Sequence, residues 1–146
     1  MTEKNNTDLK PETIDTYELV YEQYLGKHYR GTVVVFYNSI SDLIALKTDA
    51  ADGLLVYDNL NNVIAKGVEF EMEGKWTGGH EGRISYTLQE AENKEIGDIL
   101  LNSPEHMVKL NLIGALLKEK LFLGVEEQYT SNRKTISNNL HVCILI

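Results

Sequence analysis

The chain has 146 residues, 42% hydrophobic and 25% charged, the size of one folded domain and not the composition of a disordered one. Its formal net charge of −8 argues against a nucleic-acid partner, because binding phosphates requires clustered Lys and Arg. No run approaches the ~20 apolar residues of a membrane-spanning helix, whereas a membrane-spanning strand needs only about 9–11 residues, half of them apolar.

Residues 1–12 are polar and read as a loop-like segment ending at Leu9-Lys10-Pro11-Glu12. A strand is predicted over 14–25, with Tyr17, Leu19 and Tyr21 on one face and Thr16, Glu18 and Glu22 on the other, since successive side chains alternate. Gly26-Lys27 makes a tight hairpin turn. The return strand, 28–46, sets Tyr29, Val33, Val35 and Tyr37 opposite His28, Arg30, Thr32 and Asn38. It is far longer than the usual ~5–6 residues, which favours a barrel over a sandwich.

A loop at 47–54 leads to a third long strand, 56–76, carrying Asn59, Asn61 and Asn62 early and a comb of Glu69, Glu71, Glu73 and Lys75 late. The glycine-rich stretch 77–82 turns into a fourth strand, 83–91, and a polar loop follows at 92–103. Strand five is predicted over 105–116, Lys118-Glu119 is a turn, and strand six covers 120–131. One competing signal stands out here. Ser103-Pro104-Glu105 is a good helix start, and Leu110, Ile113, Leu117 and Leu121 have helical spacing. Strand is preferred for 106–120 because Val108, Leu110 and Leu112 alternate and Gly114 sits mid-run, where it costs a helix about 1 kcal/mol against Ala.

The expected fold is therefore all-β, an antiparallel meander of about six long strands. Turns at Gly26-Lys27, 77–82 and Lys118-Glu119 lie at one rim; loops 47–54, 92–103 and 133–139 lie at the other. Strands 14–25 and 120–131 are the expected edges. Leu19, Val33, Val35, Phe70, Met72, Tyr86, Leu110 and Leu123 should share an apolar face, with Glu18, Glu22, Glu69, Glu71, Ser85, Lys109 and Gln128 on the opposite one. The expected organisation is a polar segment 1–12, a strand segment 13–133, and an irregular, truncated end over 134–146, where the apolar run of 140–146 does not alternate.

Chemistry is sparsely signalled. Cys143 is alone, and His28, His80, His106 and His141 share no ligand spacing. No Ser, Cys or His comes with partners that would activate a nucleophile, so no enzyme, metal site or cofactor is expected and no catalytic or ligand-binding residue is named. Glu69, Glu71 and Glu73 lie about 6–7 Å apart on one strand, too far to surround one ion unaided, and read as a solvated wall. Tyr17, Tyr21, Tyr29, Tyr37 and Trp76 near strand ends fit an interfacial girdle as well as ordinary packing.

Several stretches resemble a known family in order and spacing over 9–133. Leu9-Lys10-Pro11-Glu12 followed by Thr16-Tyr17-Glu18-Leu19 is similar to a segment in the barrels of TonB-dependent outer-membrane receptors. So are Val35-Phe36-Tyr37-Asn38-Ser39-Ile40-Ser41-Asp42-Leu43-Ile44, Asn59-Leu60-Asn61-Asn62-Val63 with Ala65-Lys66-Gly67-Val68-Glu69, the stretch 86–91, and Ser103-Pro104-Glu105-His106. The resemblance implies a partial segment of a transmembrane β-barrel from a receptor that imports siderophore-bound iron or cobalamin. Its implied partners are outer-membrane lipid, the rest of the barrel, the plug domain, TonB, and a ligand such as a ferric siderophore or cobalamin. The implied location is the cell outer membrane, although the polar start Met1-Thr2-Glu3-Lys4-Asn5-Asn6 carries no export signal. About six strands and no plug suggest a fragment that by itself neither transports nor catalyses. Alternation alone leaves a second reading open, a soluble small β-barrel or sandwich binding an apolar ligand.

Overall fold

The computed structural model describes residues 3–95, 97–118, 120–133 and 141–145, and among them every regular element is a strand. Six are long: β2 (Thr13–Leu25), β3 (Tyr29–Ser41), β6 (Val63–Trp76), β7 (His80–Asn93), β9 (His106–Leu116) and β10 (Leu121–Arg133). The short ones are β1 (Glu3–Lys4), β4 (Leu43–Thr48), β5 (Leu55–Leu60), β8 (Asp98–Ile99) and β11 (His141–Leu145). The main sheet runs in the order β11-β10-β9-β7-β6-β3-β2, each neighbour antiparallel to the next, with β8 paired to β7. A separate three-stranded sheet has the order β1-β5-β4.

The meander of six long strands matches the expectation, and so do the rims. The tight turns 26–28 and 77–79 join β2 to β3 and β6 to β7 at one end, and β9 runs into β10 at the same end, where Glu119 of the expected Lys118-Glu119 turn lies outside the described residues. Gly78 and Gly79 hold φ of 89° and 74°, a backbone that a side chain resists, which is why the sheet reverses there. The β4–β5 hairpin and the β8 connection stand at the opposite end. Where helix competed with strand, β9 is strand: it lies between β7 and β10, pairing with both, so sheet hydrogen bonds on two sides outweigh the local helix start at Ser103-Pro104.

Several expectations need correcting. The strand 28–46 is not continuous, because Asp42 adopts φ 56° and separates β3 from β4. The strand 56–76 breaks likewise at Asn62, φ 55°, between β5 and β6. Asp and Asn accept this left-handed conformation more readily than other residues bearing a side chain. The fourth strand runs from His80 to Asn93 instead of 83–91, since Gly82 pairs with Gly74 and extends the ladder. Residues 120–131 are not an edge: β11 pairs with β10, so a strand lies within 134–146 where an irregular end was expected. The remainder of that stretch, including the loop proposed at 133–139 beyond Arg133, lies outside the described residues. The polar start is not a free loop either, because β1 pairs in parallel with β5.

A second layer over the main sheet is lacking among the described residues. Among the described residues the buried apolar side chains are only Leu55, Val56, Val63 and Ala91, all near the loop rim. Leu19 is 71% exposed, Leu123 61% and Phe70 48%. A soluble domain buries the apolar face of a sheet against a second layer. This sheet leaves that face open.

Candidate functional site

The functional surface is the pair of faces of the main sheet, and register fixes which side chains share each. Leu19 pairs with Val35, Val35 with Val68, and Val68 with Leu88. The next row toward the turns is Tyr21, Val33, Phe70, Tyr86, Val108 and Tyr129. Leu110 and Met72 lie on this face through their pairing with Ile84, and Leu123 through Gly114. All eight residues assigned to the apolar face therefore share it. The residues assigned to the opposite face are also together: Glu22, Thr32, Glu71, Ser85, Lys109 and Gln128 form one cross-strand row, flanked by Glu18 and Glu69.

Aromatic pairs mark both borders of the apolar face. Near the turns, Trp76 meets Tyr29 edge-on at 5.8 Å and its indole Nε1–H donates to the Tyr29 hydroxyl at 3.2 Å. The ring has room because Gly74 and Gly82 lie beneath it: a Cβ on Gly74 would come within 2.8 Å of the indole. Near the loops, Tyr17 and Tyr37 approach at 6.4 Å. From Tyr29 to Tyr37 the strand advances about 26 Å, or roughly 20 Å normal to a membrane at the usual barrel tilt, close to the ~25 Å band of a membrane barrel. Within the band, the Tyr86 hydroxyl and His106 Nδ1 satisfy each other at 2.8 Å. Glu127, opposite Leu110, is a carboxylate on this face that sequence reading passed over.

The other face is polar and organised around Glu73. Its carboxylate accepts from Arg30 Nη2 at 2.6 Å and from Arg83 Nε at 2.8 Å, with Arg83 Nη2 as a further close donor. Arg30 also donates to Glu22 at 3.2 Å, and both arginines lie 3.8 Å from Glu71. Glutamates from β2 and β6 thus surround two arginines from β3 and β7. The comb is not a row of free carboxylates: Glu71 and Glu73 are neutralised across the ladder. The signal was available, since the register sets Arg30 and Arg83 opposite Glu73, but pairing of β3, β6 and β7 had to be known first. Phe36 also lies on this face, its ring packed over Gly67, where a Cβ would come within 2.6 Å of it.

The described histidines do separate jobs. His28 Nδ1 bonds the Lys75 carbonyl at 2.9 Å, His80 Nδ1 accepts from the Ala115 amide at 3.3 Å, and His106 meets Tyr86. Among the described residues no three His, Cys, Asp or Glu side chains are grouped to hold a metal. A hollow of about 650 Å³ lies toward the loop rim between β3, β6, β7 and the residues after β8, with Val35, Val68, Leu88 and Ile99 in its lining.

Charges on the loop rim are paired in the open. Lys4 lies against Asp49 and Asp52, which hold its pKa above the ordinary lysine value while Lys4 holds both carboxylates below theirs. Lys47 lowers Asp58 in the same way, and Glu92 raises Lys94.

A family profile described as "TonB dependent receptor-like, beta-barrel" matches residues 2–140. Among solved structures, the FrpB iron transporter from Neisseria meningitidis (F3-3 variant) is similar, with a TM-score of 0.57 and 14% sequence identity. The match covers 94% of this chain and 23% of that one, so this chain spans less than a quarter of the transporter's length. At that identity the likeness is one of fold. No curated protein matches the sequence. The matched family is one of receptors and transporters, not enzymes.

Proposed function

Because this chain belongs to the TonB-dependent receptor family, we propose that it forms one stretch of wall in an outer-membrane transporter for siderophore-bound iron or cobalamin. Residues 13–133 supply the wall, the Tyr29–Trp76 and Tyr17–Tyr37 rows sit at the two membrane interfaces, and the Arg30–Glu73–Arg83 face lines the lumen. The β4–β5 hairpin and the β8 connection stand on the external side, because barrels of this kind carry short turns inside and longer loops outside. The plug and the TonB-contacting segment belong to other parts of the receptor, and ligand selection rests with the external loops and plug.

The observation that carries this reading is the exposed apolar face bounded by aromatic pairs on a sheet whose other face is charged. A soluble β-sandwich or small barrel binding an apolar ligand would cover that face, so it is the less favoured reading. The test is uptake of radiolabelled ferric siderophores and of cobalamin by cells in which the gene carrying this segment is disrupted. Loss of uptake of one ligand, with the protein in the outer-membrane fraction, supports the proposal. Normal uptake of both, or a protein recovered in the soluble fraction, refutes it.

A further inference from the structure

Both strands of one hairpin break at the same level. Ile40 pairs with Val63 in the main sheet and Leu43 pairs with Leu60 in the small one, and between these pairs lie Asp42 and Asn62, both left-handed. A sheet bends easily where its ladder is interrupted on two neighbouring strands at once. Beyond the break, β4 and β5 pair with each other and β5 with β1, and neither pairs with a strand of the main sheet. One side of the line is anchored: the Asn62 carbonyl accepts from the Lys94 amide at 3.0 Å, and its side chain donates to Glu95 at 3.4 Å.

The hairpin itself is held by the segment before β2. Asn59 is the centre of that attachment. Its Oδ1 accepts from the Lys10 amide at 2.8 Å, and its Nδ2 donates to the Lys10 carbonyl at 3.0 Å and to the Asp42 carbonyl at 2.6 Å. One side chain therefore joins β5, the N-terminal segment and the bend. Around it, Asn6 donates to the Tyr57 carbonyl at 3.0 Å, Glu12 accepts from the Ile44 amide at 2.6 Å, and Lys4 reaches Asp52 at 2.8 Å and the nearby Asp49. Apart from the two-residue pairing of β1 with β5, these bonds are made by side chains at an exposed rim, individually weak and reversible. The main sheet is instead knit by continuous backbone ladders.

We propose that β4–β5 is a hinged flap that swings about Asp42 and Asn62, that residues 4–12 are its latch, and that Asn59 is the bolt. A displacement of the latch then changes the position of the flap without disturbing the wall. This rests on the reading of the loop rim as the external side, where ligand is selected. The hinge is nevertheless testable without any ligand, so its failure would leave that reading standing.

The experiment is hydrogen exchange, read by mass spectrometry, on the full chain in detergent micelles, comparing wild type with Asn59→Ala, the double variant Lys4→Ala/Asn6→Ala, and Asn61→Ala as a neighbouring control. In wild type, β4 and β5 should be protected more than the turn 77–79 and less than β6 and β7. Asn59→Ala should speed exchange of β4 and β5 about tenfold, equivalent to about 1.4 kcal/mol of lost hydrogen bonding. The double variant should act in the same direction, and Asn61→Ala should change nothing. A wild-type flap exchanging as fast as the turn would overturn the proposal. So would variants that leave the flap unchanged, or that accelerate β6 and β7 equally.

Discussion

The assignment of the two faces is tested most directly by placing the same charge on adjacent residues. Val33 is midway between Tyr29 and Tyr37 on the apolar face, in a row with Tyr21, Phe70 and Tyr86. Thr32, its neighbour, points to the other side between Glu22 and Glu71. An arginine near the midplane of a lipid-facing strand costs about 2–4 kcal/mol, whereas one in the lumen is tolerated. At 1.4 kcal/mol per factor of ten, Val33→Arg should lower the folding equilibrium constant by roughly 30- to 700-fold. Thr32→Arg gains two flanking carboxylates and meets Arg30 nearby, so its effect should stay within about 1 kcal/mol. The assay is a denaturant titration of the chain folded into phospholipid vesicles, followed by tryptophan emission. Equal costs for the two variants, or a larger cost for Thr32→Arg, would refute the assignment of faces.

Four further outcomes follow. Glu73→Ala removes the acceptor shared by Arg30 and Arg83 and should cost about 1–3 kcal/mol, more than Glu69→Ala, in the same titration. Gly67→Ala drives a methyl into the Phe36 ring and the Leu88 carbonyl and should cost about 1–3 kcal/mol, recovered in part by Phe36→Leu. Asp49 and Asp52 titrate below their ordinary values because of Lys4, so the stability they lend the flap is present above the ordinary carboxylate range and is lost as pH falls through their lowered values; flap protection should thus be flat near neutrality and fall in acid below about pH 4, a fall that Lys4→Ala should lessen without abolishing, because Asp58 keeps its own partner Lys47. Trp76 is the single tryptophan of the chain and should be quenched more strongly by brominated lipids carrying bromine near the headgroup than deep in the acyl chain; the reverse order would remove it from the interface.

The alternation of 17–25, 68–76 and 108–112 was enough to read strands, their two faces and the short-turn rim, because a strand's side-chain period is two and every neighbour in the ladder obeys it. The order of motifs over 9–133 was enough for the family. The chain did not announce its two bends: Asp42 and Asn62 sit inside runs that alternate well, and only the divergence of β4–β5 from the main sheet requires a left-handed residue there. It did not announce that the Glu comb is neutralised, since Arg30 and Arg83 are 53 positions apart in sequence and meet at Glu73 only after β3, β6 and β7 pair. Nor did the polar composition of 1–12 reveal an ordered latch, because its bonds are to carbonyls, amides and carboxylates some 32–52 positions away. Local periodicity is carried by each residue's own backbone, whereas partners across a sheet exist only once the register is closed.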